Sequence, residues 1–329
     1  MHKIGGLMFV LMPLVGMTQT FKVLTPYGRA SFRGLSAPSA SVVWVSGTGL
    51  IGRSVDGGSS WRWASVPGFE RRDFRDIYAY DSLTAMVMAV DTPAVLLRTG
   101  DGGAHWTEVF RDATPGMFLD AMDFLGAKGI VVGDPVGGRF YLAMTQDSGR
   151  SWLPFSDGIR PVADSGEGCF ASSGTNIRLL LQDGLPYAFV SGGPVSRLFT
   201  GSAAVTLPLL NGAVSTGANS IGISGAHWIV VGGDFAHDSV SRGNCLISSD
   251  GGVHWRAPAS GPLGYRSCVV HLSGASWLCC GTSGVDVSTD DGDHWRSLSR
   301  ESYHVAVSSG GVVYLAGAHG RVARLERGR

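Results

Sequence analysis

One pattern, Ser/Thr-x-Asp-x-Gly-x-x-Trp, returns five times along this 329-residue chain and limits its folding more than any other feature. It reads Ser54, Asp56, Gly58, Trp61, then Thr99, Asp101, Gly103, Trp106, then Thr145, Asp147, Gly149, Trp152. Ser248, Asp250, Gly252, Trp255 and Ser288, Asp290, Gly292, Trp295 complete the set. The aspartates stand 45, 46, 103 and 40 residues apart. The long step is two periods, so one repeat lacks the motif. A period of about 45 residues is the size of one four-stranded propeller blade.

Each residue of the motif has a mechanical task. The Asp carboxylate accepts hydrogen bonds from backbone N–H groups just ahead of it, as in an Asx turn. The Gly takes a positive φ that a side chain would penalise. The Trp opens the returning strand and folds back over the turn, burying a large ring with one N–H to satisfy. The motif therefore closes a hairpin, and Asp56, Asp101, Asp147, Asp250 and Asp290 are read as structural. His105, His254 and His294 each precede a motif Trp. They occupy equivalent turns of different blades and so stand far apart, which argues against a shared metal. No metal site and no cofactor are expected.

Short apolar runs separated by Gly and Ser flank every motif and read as strands. No stretch has sustained helical periodicity with caps. The blades run from Ser31 to Val66, Asp73 to Arg111, Met117 to Phe155, Gly166 to Leu210 (the copy without a motif), Ser215 to Pro258 and Gly264 to Leu298. Ser302 to Glu326 leaves room for only three strands of a seventh blade, at 302–307, 312–317 and 320–325. Thr20 to Leu24 supplies the fourth. Pairing the two chain ends closes the ring and removes the free sheet edge. The expected fold is all-β: a single seven-bladed propeller over residues 19–329.

The first 18 residues read as a signal peptide. Lys3 gives the positive region, Ile4 to Val15 the apolar run, and Gly16 and Thr18 the small residues before cleavage, with Gln19 first in the mature chain. A short membrane anchor is the alternative for this segment, and nothing later is long and apolar enough to span a bilayer. The expected location is periplasmic or extracellular. Charges balance at 26 Lys plus Arg against 26 Asp plus Glu, so no global field points to nucleic acid. Lysine occurs only at 3, 22 and 128, so the basic chemistry belongs to arginine, which suits fixed two-pronged contacts with carboxylates. Cys169, Cys245, Cys268, Cys279 and Cys280 are odd in number, so at least one stays unpaired in a monomer, the expected state. Cys268 and Cys279 flank a short hairpin and are placed to approach each other.

The motif matches the Asp-box (BNR) repeat, and the chain resembles the photosystem II stability/assembly factor-like propellers. The resemblance rests on the five boxes and on the openings Phe32-Arg33-Gly34-Leu35 and Phe74-Arg75-Asp76-Ile77, and it covers nearly all of the chain after the signal segment. It implies a rigid ring whose Arg-bearing face engages a protein partner. The same box also occurs in sialidases, so it specifies fold far better than function. No Gly-rich nucleotide fingerprint accompanies it.

Aligning the first strands puts Arg33, Arg75, Leu119, Glu167, Asn219, Arg266 and His304 around one opening, with Asp76 and Asp120 directly after two of them. Arg33, Arg75, Arg266, Asn219 and His304 are the expected ligand-binding set. Asp134 and Asp234 fall late in second strands, as turn-formers or as acids at the same mouth. Two functions follow. One is a non-enzymatic scaffold that offers an Arg-rich mouth to a peptide, protein or acidic glycan. The other is a glycan-active hydrolase in which Glu167 works with Asp76, Asp120 or Asp134, or in which Tyr265 or Tyr303 serves a sialidase-like mechanism.

Overall fold

A computed structural model describes residues 19–25, 28, 30–182, 185–201 and 203–327, so the expected signal peptide lies outside the described residues. Among the described residues the chain forms seven antiparallel sheets in sequence order, six of them meanders, and the seventh closes the ring by pairing strands from the two ends. Gln19–Val23 pairs with Val322–Arg327, from Gln19 opposite Arg327 to Val23 opposite Ala323, and so becomes the outer strand of blade seven. The first strands of neighbouring blades touch in turn around the whole circle: Phe32–Ser36, Phe74–Ala79, Leu119–Leu125, Ile177–Gln182, Thr216–Ser224, Cys268–Ser273, Val305–Ser309, and back to the start. These strands line the central channel. The chain is a seven-bladed β-propeller.

The apolar alternation of the strands is used between blades. One core layer joins blades one and two through Trp44, Ile51, Phe74 and Leu97. Another joins blades three and four through Ile130, Phe140, Phe189 and Phe199. Trp44 and Trp277 are among the largest fully buried side chains. Such packed faces hold each sheet against the next, and single hydrogen bonds such as the Leu179 N–H to Asp123 and the Val269 N–H to Ser220 add to them between blades.

All five boxes form the same turn, and in each the leading Ser or Thr proves to be a relay. In the fourth copy the Ser248 Oγ donates to Asp250 Oδ1 at 2.8 Å and accepts from the Gly252 N–H at 2.9 Å, while the His254 N–H donates to Asp250 Oδ1 at 2.9 Å. The box glycines sit at φ between +76° and +87°, the conformation the motif required. The indole N–H of Trp61 and Trp255 donates to the box Gly carbonyl, whereas Trp106 and Trp152 bury theirs without a partner among the described residues. His105, His254 and His294 each pair with the Asp of their own box.

Three expectations about strands need correction. Blade four begins at Ile177, not at Gly166, because Ser165–Asn176 has glycines and hydroxyls where a strand needs apolar alternation. Blade five has three strands, and its fourth is reduced to the two hydrogen bonds between Ile247 and Arg256. The cross-strand partner of Cys268 is Cys280, not Cys279, which faces Val269. All five cysteines are buried free thiols.

Candidate functional site

The first strands of blades one, two, three and five carry the same irregularity near their start. Between Phe32 and Gly34, Phe74 and Asp76, Leu119 and Ala121, and Ala218 and Ser220, one residue is left without a cross-strand partner. The unpaired residues are Arg33, Arg75, Asp120 and Asn219. A bulge turns its extra residue out of the ladder and re-aims the side chain. In blades six and seven the N–H groups of Ser267 and His304 bond to Cys280 and Ala316, and these two residues hold the corresponding places. Of the residues at these places Arg33, Arg75, Asp120, Ser267 and His304 line the channel mouth, whereas Asn219, expected among the ligand-binding residues, is fully buried behind it.

That ring corrects the sequence alignment by one residue in two blades. Leu119 is buried core and Asp120 takes its place. Arg266 is also turned away from the mouth. It is 1% exposed, and its Nε donates to Asp286 Oδ2 at 2.7 Å, with further bonds to the Tyr265 carbonyl and the Ser283 hydroxyl. Tyr265, its neighbour, lines the mouth instead. The expected three arginines are two.

A cavity of about 910 Å³ opens at this mouth. Arg33, Arg75 and His304 form one side, and Asp120, Asp134 and the Gly166–Ser172 loop form the other. Arg75 is anchored: its Nε donates to Asp73 Oδ2 at 2.7 Å, and its guanidinium lies 5.8 Å from the Phe118 ring centroid. Arg33 has no hydrogen bond or ion pair among the described residues, although burial and then the Arg75 charge lower its basicity. His304 is held neutral, its pKa pushed down to about 3 by burial and then by Arg33 and Arg75. Its Nε2 meets the Ser31 hydroxyl at 3.2 Å. Apolar rings complete the wall: Phe170 packs edge-on against Phe235 at 5.6 Å, and Phe235 against Tyr265 at 6.4 Å.

The carboxyls separate by environment. Asp120 is fully buried, and neither of its oxygens finds a hydrogen bond of good geometry; burial, then Asp134, raises its pKa well above the usual range. Asp134 is pushed up to about 6 by burial, although the Cys169 N–H donates to its Oδ1 at 2.9 Å. Glu167, the carboxylate singled out for catalysis, lines the cavity but has no free lone pair to offer a substrate proton. Its side chain is fully enclosed and clasped by Arg197 and the Ser191 hydroxyl, with the Asp164 N–H donating to Oε2 at 2.9 Å. Asp234 is a turn-former, bonded to the Ala236 N–H and to His237. Asn219 is committed to the hydroxyls of Tyr265 and Ser172.

Asp76 does not belong to this cavity. The chain from Phe170 to Thr175 crosses the channel and stoppers it. The Ser173 hydroxyl donates to the Ser267 carbonyl at 2.7 Å, the Thr175 hydroxyl to Ser220 Oγ at 2.7 Å, and the Ile221 N–H to the Thr175 carbonyl at 3.0 Å. On the opposite wall Gly174, at φ +67°, passes so close that a Cβ would stand 2.3 Å from the Asp76 carboxyl, so only glycine fits. Asp76 lies beyond this plug in a smaller cavity of about 280 Å³ with Asp123 and Arg178. Burial raises its pKa to about 8, against the pull of the Met122 and Ile77 N–H groups. Tyr303 also lies outside the mouth, packed against Phe21. The sequence reading missed the plug, the Arg197 partner of Glu167 and the place of Ser267. The hydroxyl-rich Ser172-Ser173-Gly174-Thr175-Asn176 run was the available signal for the plug.

No protein-family model matches the chain, and no curated protein sequence does either. Similarity appears at the level of structure. YCF48 from Cyanidioschyzon merolae superposes with a TM-score of 0.65 at 15% identity, over 93% of this chain and 98% of that one. A structure described as YCF48 bound to D1 peptide gives 0.62 at 14% identity, over 96% and 99%. The Pan2 WD40 domain of Neurospora crassa gives 0.60 at 11% identity, over 96% and 97%. At such identities the likeness concerns the backbone alone, and by backbone this chain is a seven-bladed propeller.

Proposed function

We propose that the protein is an exported, non-enzymatic scaffold whose channel mouth binds a carboxylate-bearing partner, a peptide or protein segment first and an acidic glycan second. The observation that carries this reading is Arg33. A half-buried guanidinium without a protein acceptor, beside a second arginine, is costly unless a ligand supplies the anion. Arg75, held by Asp73 and Phe118, presents its remaining donors alongside. Arginine forks bind carboxylates in two-pronged fashion, and such charge-assisted bonds are the strong ones. The structurally similar YCF48 with a bound peptide supports a peptide as the class of partner.

The mouth supports hydrolysis less well. A retaining or inverting glycosidase needs two available carboxyl groups. Glu167 is locked in its ion pair, Asp120 is fully buried and Asp76 lies beyond the plug, which leaves Asp134 as the accessible carboxyl of the four, and the Tyr265 hydroxyl is bonded to Asn219 rather than to a carboxylate that would activate it.

Calorimetric titration with short N-acetylated peptides tests the proposal. A peptide ending in a free carboxylate is expected to bind, and its C-terminal amide to bind at least about tenfold more weakly, because a charged hydrogen-bonded contact is lost. Arg33→Ala is expected to lose binding to the same extent. Equal affinity for acid and amide, unchanged by Arg33→Ala, would overturn the reading.

A further inference from the structure

The mouth cavity holds two unmet charges of opposite sign. Arg33 has no acceptor among the described residues. Asp134 lines the same cavity, and among the described residues its one hydrogen bond is from the Cys169 N–H to Oδ1. The two do not pair with each other, and Arg75, between them in blade order, is already held by Asp73. The Asp120 carboxyl in the same lining is fully buried, and neither oxygen has a hydrogen bond of good geometry among the described residues. Evolution of a mouth for simple anions would place no carboxylate there, since like charge on the wall repels the ligand. Both groups lie on bulged or irregular strand ends: Arg33 is the extra residue of its strand, and the pairing of the Asp134 strand shifts between Gly133 and Pro135. Rigid sheets therefore fix their separation.

We propose that the ligand of this mouth is dipolar, a peptide that gives a carboxylate to Arg33 and Arg75 and a lysine or arginine side chain to Asp134. The inference rests on the carboxylate-binding reading above and adds the second half of the recognition. Phe118, Phe170 and Phe235 line the same cavity, and their rings suit the aliphatic stem that such a side chain carries. Opposite charges on the ligand, matched to opposite walls, also fix which way round it lies.

The test uses N-acetylated hexapeptides with a free C-terminal carboxylate, so that no terminal ammonium is present, with lysine or norleucine placed in turn at each position before the last. At one of those positions the wild-type protein is expected to bind the lysine peptide about tenfold tighter than its norleucine twin. Asp134→Asn keeps the Oδ1 acceptor for Cys169 and removes the charge, and is expected to reduce that ratio to about one. Equal affinity for lysine and norleucine peptides at every position overturns the dipolar proposal, and needs no variant to show it. If binding is then still lost on amidation, the carboxylate reading stands alone. If no peptide binds, both readings fall together.

Discussion

Asp147 and Asp120 belong to the same blade and have opposite fates. The Asp147 carboxylate accepts from the Thr145 hydroxyl and from the Arg150 and Ser151 N–H groups at Oδ1, and from the Ser151 hydroxyl at Oδ2, at 2.6 to 3.0 Å. The Ser151 hydroxyl and then its N–H hold its pKa at about 2. Asp120 has no donor of that geometry among the described residues, and burial raises it against the weaker pull of Arg75 and of the Ala171 and Asp134 N–H groups. The arginines repeat the contrast. Arg266 is enclosed with Asp286 and two further acceptors, while Arg33 faces the cavity with no hydrogen bond or ion pair among the described residues and only weaker attraction from Tyr265 and Asp73. At the box turns and in the blade interiors the charged groups are spent on the fold. At the mouth they are left over, and the leftover groups mark where a ligand can gain more than water gives.

Replacing Arg266 should break this contrast most severely. Arg266→Ala leaves Asp286 buried without its cation, and a loss of about 3–5 kcal/mol is expected. Urea or thermal denaturation measures it, and a loss below about 1 kcal/mol would show that the pair does not hold blade six. The box relay comes next. Ser248→Ala strips the acceptor from the buried Gly252 N–H and one donor from Asp250, and should cost about 1–3 kcal/mol. An unchanged midpoint would mean that water replaces the hydroxyl and that the relay is incidental.

A smaller effect has the opposite sign. Arg33→Met removes an unpaired guanidinium from beside Arg75 and is expected to raise stability by about 0.5–2 kcal/mol while abolishing carboxylate binding, the usual trade at a functional site. Destabilisation by this change would mean that Arg33 has a structural partner after all.

The smallest effect is in pH. The box carboxylates have folded pKa values below their unfolded ones, so their contribution is complete above about pH 4 and is lost as pH falls toward 2. Asp147→Asn should show a shallower fall in Tm over that window than wild type. Parallel curves for the two proteins would deny the box its electrostatic role.

The division also explains what could be read from the residues alone. The boxes are local: the side-chain bonds of each leading Ser or Thr and of each Asp reach no more than four residues along the chain, so composition and spacing disclosed them and the blade count followed. Strand pairing of the chain ends was legible because blade seven is visibly one strand short. The mouth is set by bulges, and a bulge shifts register by one residue without a sequence mark. Tyr265-Arg266 resembles Phe32-Arg33 and Phe74-Arg75, yet in blade six the aromatic residue takes the channel side and the arginine turns inward. Glu167 looked free between two glycines because Arg197, its partner, lies 30 residues on. The plug stayed hidden for the same reason, since its contacts reach into blades two, five and six.

A crystal structure with a bound carboxylate-terminated peptide tests the central claim most directly. The account predicts the carboxylate within hydrogen-bonding distance of the Arg33 guanidinium, about 2.7–2.9 Å, with Arg75 beside it and the Phe170–Thr175 plug still in place beneath. A peptide seated on the box turns or on an outer strand, with Arg33 still facing solvent, would contradict it.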